Sequence, residues 1–244
     1  MTLNLIILFL SAALAGIAVF FIPNLSTKRF RTVLSFSGAY LFSITVIHIL
    51  PELFHEAHDV RLTGIYVLGG FFLQMVLEYF SSGVEHGHIH VHEEDRSIMP
   101  YSILISLCLH SFLEGTLLTH PSHSHGHEGV EPLLYGLVLH KIPESFALMS
   151  VLVYRLEKKY LAMIFLLIFS AASPLGMILS NVFLKSDILS GEWINFLFAL
   201  VGGNFLYIST TIFFETSPNH KFKARKLLIT MFGASCAILA EYLL

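Results

Sequence analysis

Along the 244-residue chain, long apolar stretches alternate with short polar breaks, and the breaks hold almost all of the charge. A helix needs roughly 20 apolar residues to cross a bilayer. Eight stretches reach that length, at 3–22, 33–54, 63–82, 100–119, 132–154, 160–181, 192–214 and 226–243. The pattern predicts an all-α, polytopic membrane protein of eight transmembrane helices. It also predicts one transmembrane domain over 1–244, with no separate soluble domain left over.

Composition and charge fix the class and the orientation. Apolar residues make up 55% of the chain against 14 Lys+Arg and 17 Asp+Glu, and the mean hydropathy is +0.74. That balance belongs to an integral membrane protein, and nothing in it suggests nucleic-acid binding. The first run has no basic residue ahead of it and is followed by Lys28, Arg29 and Arg31. A secretory signal has the opposite polarity, so the run reads as a retained helix with its N-terminus outside. In that orientation eleven of the fourteen basic residues fall on inner loops, while Arg61 and Lys185 fall outside and Lys141 within a span. Basic residues collect on the cytoplasmic side, so both termini are expected to be extracytoplasmic. Cys108 and Cys236 lie inside spans and form neither a disulfide framework nor a thiolate motif.

Within the apolar runs, His110 and Glu114 stand four residues apart in the fourth span, and His140 and Glu144 repeat that spacing in the fifth. Residues four apart share one helix face. An ionisable side chain at membrane depth costs several kcal/mol unless it is paired or bound. Two such pairs on neighbouring helices make a four-donor site for a divalent ion. If the two spans pack antiparallel, His110 meets Glu144 in depth and Glu114 meets His140. Pro143 denies an N–H to the Leu139 carbonyl, so a kink is expected there, with Gly115, Gly136 and Ser145 allowing close backbone approach. The bland alternative is a pair of buried His–Glu contacts that only pin two helices. Imidazole and carboxylate without thiolate suit Zn²⁺ first, then Fe²⁺, Mn²⁺, Co²⁺ or Cd²⁺, and argue against Cu⁺. The metal is cargo in this reading, and no cofactor is expected.

His110-x-x-x-Glu114-Gly115 and His140-x-x-Pro143-Glu144 in an eight-span chain resemble the ZIP (Zrt/Irt-like) metal transporters. His48-Ile-Leu-Pro51-Glu52 is similar to that family's second helix, and Tyr66-Val-Leu-Gly-Gly70-Phe with Glu78 to its third. Ser173-Pro174-Leu-Gly176 looks like its sixth, and Gly202-Gly-Asn-Phe-Leu-Tyr207 with Glu215 like its seventh. The resemblance implies metal uptake into the cytoplasm, a mobile bundle that carries the fourth and fifth helices, and a homodimer. Two positions depart from the pattern: Ser111 stands where many members have Asn, and Lys141 where many have an acid. Those positions are thought to hold a second ion in two-metal members. An ammonium there repels a second cation, so a single-ion site is expected, with Lys141 balancing Glu114 and Glu144. The alternative for Lys141 is a side chain that snorkels or points into a water-filled gap.

Further histidines frame the two sides. The inner loop at about 83–99 holds His86, His88, His90 and His92, and the outer loop at 120–131 holds His120, His123, His125 and His127. Alternating histidine tracts bind metal as flexible segments, here an inner acceptor and an outer capture loop, neither needed for passage itself. His48, Glu52, His55 and Glu56 are expected to line an outer vestibule, and Glu78 and Glu215 the exit. Passage by alternating access is the favoured mechanism. The main rival is an intramembrane zinc hydrolase, with Glu114 or Glu144 as its base, but the chain has no His-Glu-x-x-His, and four donors with histidine tracts on both faces fit passage better; a metal exporter is a third reading. The partners expected are a divalent ion and the lipid bilayer, and the location a bacterial inner membrane.

Overall fold

The computed structural model describes residues 1–22, 27–81, 83–84, 100–119, 130–156, 158–186, 191–215 and 224–243. Both histidine tracts, His86 to His92 and His120 to His127, fall outside these residues. Among the described residues the structure is helical, without strands: α1 Thr2–Ile17, α2 Thr27–Ile44, α3 Leu50–His55, α4 Val60–Ser81, α5 Pro100–Leu117, α6 Val130–Arg155, α7 Lys159–Lys185, α8 Gly191–Glu215 and α9 Ala224–Leu243. A π turn at Thr45–Ile49 joins α2 to α3 in one continuous rod. Pro51 offers no N–H to the Ile47 carbonyl and crowds that turn. The wide turn lies just ahead of it, and wide turns of this kind recur at functional positions.

Among the described residues, seven helical spans are long and apolar enough to cross a membrane. The helix α5, which carries His110 and Glu114, is not among them. Its polar pair lowers its apolar content, and it is covered by protein instead, with ten of its residues buried, Ile103, Leu107 and Gly115 among them. By contrast α4 and α9 turn large apolar side chains outward, such as Ile65, Phe72, Leu228 and Met231. Hydrocarbon is the solvent that such surfaces fit. Pro143 does not interrupt α6, which stays helical from Val130 to Arg155. One missing hydrogen bond leaves the rest of that ladder in place.

The helices pack as two groups. In one, α7 lies against α1, α5 and α6, and α1 against α6; in the other, α8 lies against α2 and α4, and α2 against α9. The groups meet where α2 touches α6 and α4 touches α5. Within each group the backbones come into direct contact. A Cβ at Gly115 would overlap the Ser173 carbonyl, and one at Gly176 would overlap the Phe112 carbonyl, which locks α5 to α7. Gly70 and Gly203 hold α4 to α8 in the same way, against Leu200 and Val67. Small residues permit such close approach in membrane helices. Between groups, the Tyr40 hydroxyl donates to the Pro132 carbonyl at 3.1 Å, and the Ser106 hydroxyl to the Leu77 carbonyl.

Candidate metal site

The fourth and fifth predicted spans are α5 and α6, and the side chains they bring together are His110, Glu114, His140 and Glu144. All four are fully buried. One donor atom from each lies within 4.8 Å of all the others. Glu114 Oε1 is 3.0 Å from His110 Nε2 and 3.9 Å from His140 Nε2, and Glu144 Oε1 is 3.8 Å from His110 Nε2. The imidazole rings stand edge to face with centroids 6.0 Å apart. His110 thus faces Glu144 and Glu114 faces His140, the cross-pairing that antiparallel neighbours at matched depth produce. The helices themselves touch little, so the two are joined here through the donor side chains. Small shifts would place all four around one ion at the ~2.0–2.2 Å that zinc asks of nitrogen and oxygen.

Lys141 enters the same cluster. Its side chain is 1% exposed, and its Nζ pairs with Oε2 of Glu114 and, at 2.9 Å, with Oε2 of Glu144. It neither snorkels to a surface nor faces bulk water. The Phe169 ring of α7 closes the other side, with its centroid 4.9 Å from Nζ. The two oxygens of each carboxylate therefore serve different partners, Oε1 the imidazoles and Oε2 the ammonium. Among the described residues, Glu114, Lys141 and Glu144 are the fully buried charged side chains.

Ser111 is engaged with α7. The Ser173 hydroxyl donates to the Ser111 carbonyl at 2.7 Å, which spends its single proton. The Ser111 hydroxyl then donates to Ser173 Oγ at 3.1 Å. Ser111 thus ties α5 to α7, a contact between distant spans that no local spacing announces.

The predicted vestibule residues separate. His48, half-wrapped in the π turn, has its Nε2 3.6 Å from Glu52 Oε2 and its Nδ1 2.8 Å from Glu241 Oε1 of α9. The reading of the sequence missed Glu241. A carboxylate inside the last apolar run was the available signal, since an ionisable residue at membrane depth needs a partner. His55 is exposed and Glu56 half-buried, one turn further along. Glu78 is half-buried near the end of α4, and Glu215 ends α8 with its side chain outside the described part.

An apolar helical bundle with a sealed His/Glu donor set is the build of an integral membrane protein whose interior fits a divalent ion. A family model described as "ZIP Zinc transporter" matches residues 83–240. The chain belongs to the ZIP zinc transporter family. It is also 30% identical over 149 residues to Protein zntD of Dictyostelium discoideum, a match covering 57% of this chain and 21% of that protein. The chain therefore corresponds to about a fifth of that relative's length. ZIP proteins are transporters and not enzymes, which leaves the hydrolase reading without support.

Proposed function

We propose that the chain moves a divalent metal, zinc first, into the cytoplasm through one ion site built from His110, Glu114, His140 and Glu144. The observation that carries this is the convergence of four buried donors from two helices within 4.8 Å. Two neutral imidazoles and two carboxylates match the charge and softness of Zn²⁺. One ion is held because the Lys141 ammonium lies on the second oxygen of both carboxylates, where a further cation would meet direct repulsion.

Alternating access fits the packing. The donors sit on α5 and α6 in the group anchored by α7, and that group meets the α8 group where α2 touches α6 and α4 touches α5. Movement of one group past the other opens the site to each side in turn. Eight spans with both termini extracytoplasmic agree with the distribution of basic residues and with α5 as a protein-covered span. In this arrangement His48, Glu52, His55 and Glu56 stand at the outer vestibule, the histidine tracts serve capture outside and acceptance inside, and Glu78 and Glu215 lie toward the exit. Tracer zinc flux into proteoliposomes tests the reading. The native chain takes up zinc and His140→Ala does not. Equal flux in both would exclude these donors as the transport site.

A further inference from the structure

The carboxylates of the donor set divide their oxygens in a way that single-ion binding does not require. Oε1 of Glu114 and of Glu144 face the imidazoles. Oε2 of each faces Lys141 Nζ on the opposite side, under the Phe169 ring. An ion entering between the imidazoles would take the Oε1 atoms and leave the ammonium where it is. Lys141 is thus held on the carboxylates whether the site is loaded or not.

The charges then set a balance. Two carboxylates and one ammonium leave the unloaded site at −1 with neutral imidazoles, and a divalent ion brings it to +1. Charging energy in a low-dielectric medium grows with the square of the charge, so the two states cost the same to carry through the membrane. Without the ammonium the loaded site would be neutral and the unloaded site −2, at roughly four times the charging energy of −1. Such a protein could cross loaded but would return unloaded only with difficulty.

We propose that Lys141 is a resident counter-cation that lets the unloaded site return across the membrane, and so makes the protein a net importer where it would otherwise be an exchanger. The role rests on transport through the His/Glu site and concerns the half of the cycle in which no metal is bound. Lys141 does not touch the ion; it acts through Glu114 and Glu144, and it is a positioning and charge-balancing residue.

The test compares two tracer measurements on the same proteoliposomes in mildly alkaline buffer, where protons are too scarce to stand in for the ammonium. One is net zinc uptake into zinc-free vesicles. The other is exchange of external tracer against internal unlabelled zinc. Their ratio is independent of how much of the protein is active. In Lys141→Met, which keeps the length and apolar stem of the side chain, the ratio of exchange to net uptake rises about tenfold or more, the effect of ~1.4 kcal/mol in the return barrier. In Lys141→Arg, which keeps the charge, the ratio stays near the native value. A native ratio in Lys141→Met overturns the proposal. Loss of both modes together in Lys141→Met also overturns it, because Lys141 would then be needed with the ion bound. Absence of both modes in the native chain is a different failure, that of the transport reading itself.

Discussion

Among the described residues, three His–Glu pairs on the helices share the same four-residue spacing, yet two of them converge in one buried cluster and the third does not. The pairs on α5 and α6 interlock, so that each imidazole faces the other helix's carboxylate and every donor is sealed from solvent. The His48–Glu52 pair has no matching pair across from it. It draws on Glu241 instead, and His48, Glu52 and Glu241 keep 10%, 17% and 22% exposure. The two nitrogens of one imidazole point apart. A ring lying between two carboxylates therefore bridges them and does not gather them around one ion. Spacing along a helix prepares a face, and the complement on a second helix decides whether that face becomes a metal site.

The largest effect that would sharpen this contrast is at the interlocked pairs. His140→Ala removes one of four donors and leaves Glu114 with less to oppose, and zinc affinity measured by equilibrium dialysis should fall by roughly a hundredfold or more. A second way to break the comparison is to disturb the packing that presents the α5 donors. Gly115→Val puts carbon where the Ser173 carbonyl lies, and the enforced separation of α5 from α7 should cost about 1–3 kcal/mol in detergent unfolding, as overpacking does elsewhere. No comparable loss is expected from valine at Gly64, where a Cβ meets open space. The smallest effect is at the bridge. His48→Ala should leave the affinity of the buried site within about threefold, less than ~1 kcal/mol, and change mainly the uptake rate at low zinc. A drop as large as that of His140→Ala would erase the distinction between the two regions.

Much of this was legible in the chain because the signals are local. An apolar run of spanning length and a polar pair one helical turn apart are each visible within some twenty residues, and so was Lys141 as a charge with no obvious escape from a span. The facing of His110 to Glu144 and of Glu114 to His140 followed from their positions along two antiparallel spans. What escaped the sequence depends on contacts between distant segments. Glu241 meets His48 across 193 residues, and Ser111 meets Ser173 across 62. The widened turn at Thr45–Ile49 also went unread, because a proline that follows a π turn looks in sequence like any proline in a helix. The division into two helix groups depends on which glycines press against which carbonyls, and spacing does not carry that information. Pro143 lies inside α6 and leaves it helical from Val130 to Arg155, since one lost hydrogen bond in a 26-residue helix is held over by its neighbours.

The central claim, one ion among two imidazoles and two carboxylates, is most directly tested by zinc-edge X-ray absorption on the purified, zinc-loaded protein, with the metal-to-protein ratio measured on the same sample. One zinc per chain is expected, and it is lost in His140→Ala. Also expected are a shell of about four nitrogen and oxygen neighbours near 2.0–2.2 Å with imidazole scattering, and no second metal nearby. Sulfur at ~2.3 Å, a metal–metal distance near ~3.5–4 Å, or an unchanged spectrum in His140→Ala would contradict it.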